Sequence, residues 1–315
     1  MLAIIIPYYK LAFFEATLQS LVAQTCQDFK VYIGDDASPE DPKVLLEQFQ
    51  GKFDFLYHRF ETNLGGISLT QHWERCIEMS VNESWLMILG DDDVLGKEVI
   101  NKWYKNFNLF KNETNVVRFS TIIVNSKFQF LTQPFYHPRW ENVADFYFRK
   151  INGQTRSSLS EYFFSRKSFL KYRFRNYPLA WHSDDAAWFD FTDLKSIFTI
   201  NEELVYIRVS DLSISGKQSN LKEKSESTFK FYYYLLTSKG DLFSKSQKDE
   251  LFSRISKSYL NDKRKIKYFF KISNICFKNN DYKQYSKFLL SVFRSLKISF
   301  HNLKNKKSFK TCNYL

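Results

Sequence analysis

Glycine is scarce in this chain, nine in 315 residues, and none follows the first apolar run, where the sequence reads "PYYKLAF". A GxGxxG dinucleotide fingerprint is therefore excluded at that position, and no GxxxxGK[ST] run supplies a P-loop. Cysteine is as sparse: Cys26, Cys76, Cys276 and Cys312 stand far apart, without a CxxC or a nearby histidine pair. That spacing argues against structural zinc and against a disulfide framework, and it suits a reducing cytoplasm. No run of about 18 apolar residues occurs, so no membrane-spanning helix is expected. The opening "MLAIIIP" is short, is broken by Pro7 and lacks a basic leader, so it does not read as a signal peptide. These absences leave a soluble or membrane-peripheral chain. Its 44% hydrophobic and 18% aromatic content is enough for one large core or two smaller ones.

Charge is spread unevenly. Residues 217–315 hold 23 Lys+Arg against 7 Asp+Glu, a net of +16, whereas residues 1–216 hold 23 against 27, a net of −4. The overall +12 belongs to the last third, which marks a change of domain and either an anionic partner or a solvated basic surface. Lysine outnumbers arginine 33 to 13, and lysine is the poorer residue for bidentate recognition. No RNA- or DNA-binding signature accompanies the charge, so a nucleic-acid partner is not expected.

The first 125 residues alternate between short apolar runs and helical patterns. "LAIIIP", "FKVYIGDD", "FDFLYHRF", "SWLMILGDDD" and "NVVRFSTIIVN" read as strands. "FFEATLQSLVAQ", a helix opening near Ser38–Pro39, "SLTQHWERCIEM" and "KEVINKWYKNFNLF" read as the helices between them. Such alternation predicts a mainly parallel sheet covered on both faces, with ligands at the carboxyl ends of its strands.

At one of those ends lies "ILGDDDVL", where an apolar run delivers Asp91, Asp92 and Asp93 to a single point. Adjacent carboxylates repel, and burying them is costly without a cation or a set of donors; an acidic turn that caps the next helix is the bland alternative. Pro7–Tyr9 and Asp35–Asp36 follow other strand ends, so all three groups are expected along one sheet edge. Clustered carboxylates there favour a hard divalent cation, Mn²⁺ or Mg²⁺, sharing its shell with the phosphates of a substrate.

"AIIIPYYK", "TLQSLVAQTCQDFKVYIGDDAS", "NLGG" and "ILGDDDVL", in this order and at these intervals, resemble the N-terminal half of family-two glycosyltransferases. Those are inverting enzymes of the GT-A fold that use nucleotide-diphosphate sugars. The resemblance covers residues 1–125, and a second-half signature carries it to about 215. It implies a GT-A-like catalytic domain at 1–215 and leaves 216–315 as a basic, aromatic-rich helical region. It also implies that Pro7 and Tyr9 lie near the nucleotide base and that Asp36 contacts base or ribose. A carboxylate there can accept a hydrogen bond from a uracil ring N–H, so a UDP-sugar is the expected donor; an Asx turn or helix cap is the structural alternative for Asp36, and Asp35 is expected to be structural. "GDDD" corresponds to the family's metal motif, with Gly90 where an Asp often stands. Asp92 is thus the expected direct ligand, and Asp91 and Asp93 assist through water or sugar hydroxyls.

The general base is expected from "PLAWHSDDAAWFDF". The family commonly has Glu-Asp ahead of a helix, with Trp four residues after the Asp. Counting back from Trp188 gives Asp184 with Ser183 in the Glu place; reading the "DD" itself as the pair gives Asp185. Helix capping by both is the alternative. Trp181 and His182 precede them as an acceptor platform or as packing. "YIRVSDLSIS" resembles the segment that ends the catalytic domain in many relatives: Arg208 is present, Ser210 takes the usual His place, and the frequent Arg after "NxG" is Thr70. Beyond residue 216, "STFKFYYYLLTSKG", "ELFSRISKSYLNDKRKIKYFFKISNICF" and "YKQYSKFLLSVFRSLKISFHNL" read as helices with aromatic stripes and lysine-rich flanks. Such a surface packs internally or lies on an anionic bilayer. The expected activity is transfer of a sugar to a glycan or lipid-linked glycan in bacterial surface polysaccharide synthesis, at or near the inner face of the cytoplasmic membrane. A non-catalytic relative that only binds is the other reading, resting on Gly90 and Ser210.

Overall fold

The structure, a computed structural model, describes residues 2–211, 220–261 and 265–311. The chain divides into two compact units, Met1–Leu221 and Lys222–Leu315.

The first unit opens with β1 (Leu2–Tyr8), α1 (Phe14–Val22), β2 (Phe29–Asp35), α2 (Lys43–Glu47), β3 (Phe55–Arg59), α3 (Leu69–Glu78) and β4 (Trp85–Ile88). The short β5 (Val94–Leu95), α4 (Val99–Phe110) and β6 (Val116–Val124) follow, then β7 (Trp140–Glu141), α5 (Val143–Ile151), β8 (Tyr162–Ser165), α6 (Arg166–Tyr172), α7 (Ser183–Phe191) and β9 (Ile197–Arg208). One sheet has the order β3-β2-β1-β4-β8-β6-β9-β5, and β7 pairs with β9. The β3-β2-β1-β4 half is parallel throughout, and β6 runs parallel to β9. The expected α/β sheet is present. Leu2 to Ile6 are wholly buried, which is why β1 reads as a continuous apolar run rather than an alternating one.

Two local expectations need correction. The helix after "DDAS" does not open at Ser38–Pro39 but at Lys43. The Ser38 N–H donates to Asp35 Oδ1 at 2.8 Å, its hydroxyl donates to the Glu40 carbonyl at 2.8 Å, and Ala37 sits in the left-handed region at φ 50°. That turn uses up the residues that looked like a cap. The other is β8, unforeseen because four residues, "YFFS", carry too little periodicity to separate strand from helix. It runs antiparallel to both β4 and β6 and joins the two halves of the sheet.

The second unit consists of α8 (Leu221–Ser238), α9 (Lys245–Asn261), α10 (Ile266–Lys278) and α11 (Tyr282–Thr311). The stretch 250–277, read above as one helical segment, thus belongs to two helices. Its aromatics pack among themselves: Phe229 stacks on Tyr268 at 3.7 Å, while Phe252, Tyr259 and Phe269 surround Phe288. Among the described residues, no helix is long and apolar enough to cross a membrane.

Candidate active site

Because β8 is antiparallel to both its neighbours, β6 and β9 point the same way as β1 to β4. The carboxyl ends of these strands therefore share one edge, and the acidic turn after β4 lies on it. Asp91 reaches across to β1, where its Oδ2 accepts from the N–H groups of Tyr9 and Lys10, each at 2.8 Å. Asp93 is buried: Oδ1 accepts from the Arg208 N–H at 2.9 Å and Oδ2 from the Ser160 hydroxyl at 2.5 Å. Ser160 Oγ in turn accepts from the Gly90 N–H at 2.9 Å. Asp92 is different. Its carbonyl accepts from Arg208 Nε at 3.0 Å, but its carboxylate meets, among the described residues, only its own backbone N–H. Burial pushes all three carboxyls up, Asp91 to about 6 and Asp93 to about 7, and the Asp92 charge adds to both. Among the described residues no three His, Cys, Asp or Glu side chains converge as a metal-binding group. Among the described residues, no donor from another residue bonds the Asp92 carboxylate or Oδ1 of Asp91, although the Lys10 and Arg208 charges lower Asp92 in part.

On the β2 side the two carboxylates are held by the protein. Asp35 accepts from Ser38, from the Tyr57 hydroxyl at 2.7 Å and from Arg59 Nη1 at 2.6 Å. Asp36 accepts from the N–H groups of Leu64 and Gly65, each at 2.8 Å, and pairs with Arg75. A Cβ on Gly65 would stand 2.5 Å from Asp36 Oδ2, so this close approach requires glycine. The Asp36 N–H donates to the Tyr8 carbonyl at 3.1 Å. Through that bond the half-buried Pro7 and the exposed Tyr9 sit between Asp36 and the acidic turn.

α7 carries the second acidic pair. Asp185 is buried, with Lys150 Nζ on Oδ1 and His182 Nδ1 donating to Oδ2 at 2.8 Å. Burial alone would raise its carboxyl, but the Lys150 charge and the hydrogen bond from His182 hold it well below the usual carboxylate range. Asp184 has no such clamp. Burial and then the charge of Asp185 push its carboxyl up, with Lys150 opposing in part. The loop leading into α7 is tense: Leu179, Ala180 and His182 all have positive φ, at 59°, 51° and 68°, on the order of 1 kcal/mol each for side chains other than glycine. Asn176 of that loop accepts from the hydroxyls of Ser68 at 2.9 Å and Thr70 at 3.2 Å, tying it to the start of α3. Trp181 and His182 stand half-buried with rings 5.6 Å apart, edge to face.

A family model described as glycosyl transferase family 2 matches residues 3–198 of the chain. The chain belongs to glycosyl transferase family 2. An uncharacterized glycosyltransferase of Haemophilus influenzae (strain ATCC 51907 / DSM 11121 / KW20 / Rd) is 33% identical to it over 136 residues. That match spans 42% of this chain and 44% of the relative, less than half the relative's length. Among solved structures, S. aureus TarS 1–349 in complex with UDP-GlcNAc has a TM-score of 0.63 at 14% identity, over 83% of this chain and 73% of that one. TarS 1–349 in complex with UDP has a TM-score of 0.59 at 14% identity, over 84% and 72%. Likeness at that identity speaks for the fold.

Several residues of this family 2 chain escaped the sequence reading. Ser160 and Lys150 hold Asp93 and Asp185 in place and Asn176 ties the loop before α7 to α3, yet none of the three stands in a motif that marks such a role. "NLGG", too short to suggest a phosphate cradle, presents its N–H groups to Asp36 instead. Arg208 was noted for its place in a motif; its links to the backbone of Asp92 and the carboxylate of Asp93 come from β9 pairing with β5. Leu212–Ser215 of the same motif lie outside the described residues.

Proposed function

We propose that this chain is an inverting glycosyltransferase moving a sugar from a UDP-sugar to a hydroxyl of a glycan or lipid-linked glycan in bacterial surface polysaccharide synthesis. The observation that supports this reading most is the unequal fate of the carboxylates. In each of two acidic clusters at the sheet edge, neighbours are pinned by protein donors and one carboxylate is left open, Asp92 in the turn and Asp184 on α7. The solved TarS complexes with UDP-GlcNAc and UDP add weight to a UDP-sugar donor.

Asp92 with Oδ1 of Asp91 fits Mn²⁺ or Mg²⁺, since such ions take one or two carboxylates and fill their shell with water and substrate phosphates. When bound, the cation offsets charge gathering on the leaving diphosphate. Pro7 and Tyr9 line the nucleotide side, and Asp36 fixes the Leu64–Gly65 loop beside it while keeping acceptor capacity for the base or ribose. Asp184 takes the proton of the acceptor hydroxyl as its oxygen bonds to the anomeric carbon and the bond from that carbon to UDP breaks. A carboxyl raised by burial and by Asp185 is better suited to hold that proton than an ordinary surface aspartate. Asp185, fixed by Lys150 and His182, supports the start of α7.

UDP release from a panel of UDP-sugars, with and without Mn²⁺ and a glycan acceptor, tests the reading. Stimulation by metal and acceptor is expected; a chain that binds UDP but never turns over would overturn it in favour of a binding protein.

The second unit supports contact with an anionic bilayer. Ile266, Phe270 and Phe277 lie on one face of α10 and are 64%, 65% and 49% exposed, with Lys267, Lys271 and Lys278 beside them. Co-sedimentation with phosphatidylglycerol vesicles and not with phosphatidylcholine vesicles is the expected result, and equal recovery with both would sink this contact.

A further inference from the structure

A concave surface lies on the first unit, beside the Arg208 that holds the acidic turn. Ala12, Phe13, Ala16 and Gln19 form one wall, and Ser126 to Phe128 with Arg208 form the other. Its volume, about 430 Å³, falls within the range of roughly 300–1,000 Å³ common for small-ligand sites.

Three observations describe what it offers. The first is a continuous set of flat faces. The Arg208 guanidinium lies 4.4 Å from the Phe13 ring centre and 5.5 Å from that of Phe128. Phe128 then meets Tyr206 at 5.3 Å, and Tyr206 stacks on Phe130 at 6.2 Å and 19°. The second is an open donor. Arg208 is 5% exposed, and its Nε and Nη1 are spent on the carbonyls of Asp92, Asn125 and Ser126. Its Nη2 meets no acceptor among the described residues, and Arg208 is one of the residues that line the groove. The third is an outward aromatic held at a cost. Phe128 has φ 61° yet is 39% exposed, and Phe130 is 64% exposed. Asn125 builds this turn, accepting from the N–H groups of Lys127 and Gln129 at 2.9 Å each. A left-handed position in such a turn favours Gly or Asn, and a phenylalanine there gains little burial in return.

We propose that this groove is a subsite for the acceptor glycan, holding sugar residues of the chain at a distance from the hydroxyl that reacts. The inference rests on the function proposed above. Pyranose rings present a C–H face that lies flat on aromatic rings, and Arg208, Gln19 and Glu15 supply donors and acceptors for hydroxyls at the rim. Position fits as well. The nucleotide-side residues belong to β1, β2 and β4, whereas Ser126 to Phe128 and Arg208 lie at the ends of β6 and β9 in the other half of the sheet, with the start of α1 as the facing wall. α7 packs over β8, where Trp188 stacks on Tyr162 at 4.0 Å. From β8 to β9 is two strand spacings, roughly 10 Å, so a glycan longer than a monosaccharide is needed to reach both Asp184 and Phe128.

Saturation-transfer NMR with gluco-, galacto- and chito-hexaoses and the matching monosaccharides, without donor, tests the proposal, alongside UDP titration of the wild-type protein. The wild type should bind at least one hexasaccharide and none of the monosaccharides. Phe130→Ala should weaken that binding about tenfold or more without lowering the melting temperature. Phe128→Gly should do the same while holding or raising it, because the strained position is relieved. Hexasaccharide binding that survives both substitutions overturns the groove. UDP binding without any hexasaccharide binding also overturns it and leaves the donor reading standing; loss of both overturns both.

Discussion

The two acidic clusters of this chain are built on different elements and reach the same arrangement. In the turn after β4, Asp91 and Asp93 are tied to β1, β9 and Ser160, and Asp92 between them is left open. At the start of α7, Asp185 is tied to Lys150 and His182, and Asp184 before it is left open. In both, the clamped carboxylates fix the backbone and burial raises the open one, on α7 with the charge of Asp185 added, which favours a cation or a proton there. The clusters differ in the sign of what clamps them. In the turn the clamps are backbone N–H groups and a hydroxyl, and the nearby Lys10 and Arg208 charges offset part of the charge of Asp92. On α7 the Lys150 ammonium offsets part of the charge of the pair, and the raised Asp184 carboxyl is suited to a proton. A third pair, Asp35–Asp36, has both members clamped, and marks the limit at which an acidic pair becomes mainly structural.

The sharpest way to break the comparison is to exchange the roles within a pair. Asp184→Asn should cut sugar transfer by about 10²–10⁴-fold while UDP binding and melting temperature hold. Asp185→Asn should show first in melting temperature, because Lys150 loses its partner, and less in rate. If Asp185→Asn were the inactive enzyme and Asp184→Asn the active one, the open-and-clamped assignment on α7 would be wrong. In the turn, Asp92→Asn should reduce metal-dependent turnover by orders of magnitude with little change in stability. Asp93→Ala leaves the Arg208 N–H and the Ser160 hydroxyl without their acceptor, and should cost roughly 1–3 kcal/mol in unfolding free energy. Equal activity loss with unchanged stability in both variants would erase the distinction.

Much of this was legible in the chain itself. Apolar runs ending in Pro7, Asp36 and Asp93 gave the parallel strands and their shared edge, because strands buried on both faces are unambiguous in composition. What stayed hidden was the set of clamps. Ser160, Lys150 and Asn176 lie 67, 35 and 106 or more positions from the residues they hold, and no local pattern encodes a partner at that distance. β8 was hidden for a related reason: four aromatic residues acquire strand character only through β4 and β6 on either side. What sets Asp185 apart from Asp184 is the clamp by Lys150, from a stretch in which the sequence offered no motif.

The fully clamped pair gives a smaller effect of another kind. Asp36→Ala removes one partner of a buried ion pair and leaves the Leu64 and Gly65 N–H groups without an acceptor, which should cost roughly 3 kcal/mol in stability. UDP affinity should fall with it, since the loop beside the nucleotide loosens; unchanged UDP affinity in a destabilised variant would confine Asp36 to holding the loop.

The smallest effect comes from a carboxylate clamped on one oxygen only. Glu161 is fully buried behind the acidic turn; its Oε2 accepts from the Ser158 N–H and hydroxyl at 3.1 Å each and from Arg156 at 3.3 Å, while Oε1 has no partner among the described residues. Burial pushes its carboxyl up from 4.5 to about 7, against the pull of Arg156 and Arg118. A folded pKa above the unfolded one means that the native state binds the proton more tightly. The contribution to stability is then complete below about 4.5 and is lost as pH rises through about 7. Glu161→Gln mimics the protonated form, so wild type and variant should melt alike near the lower pH. At pH 8 the variant should be the more stable, by on the order of 2 kcal/mol. Parallel melting curves for the two proteins across that window would show that Arg156 and Arg118 outweigh burial, and that Glu161 belongs with the clamped carboxylates.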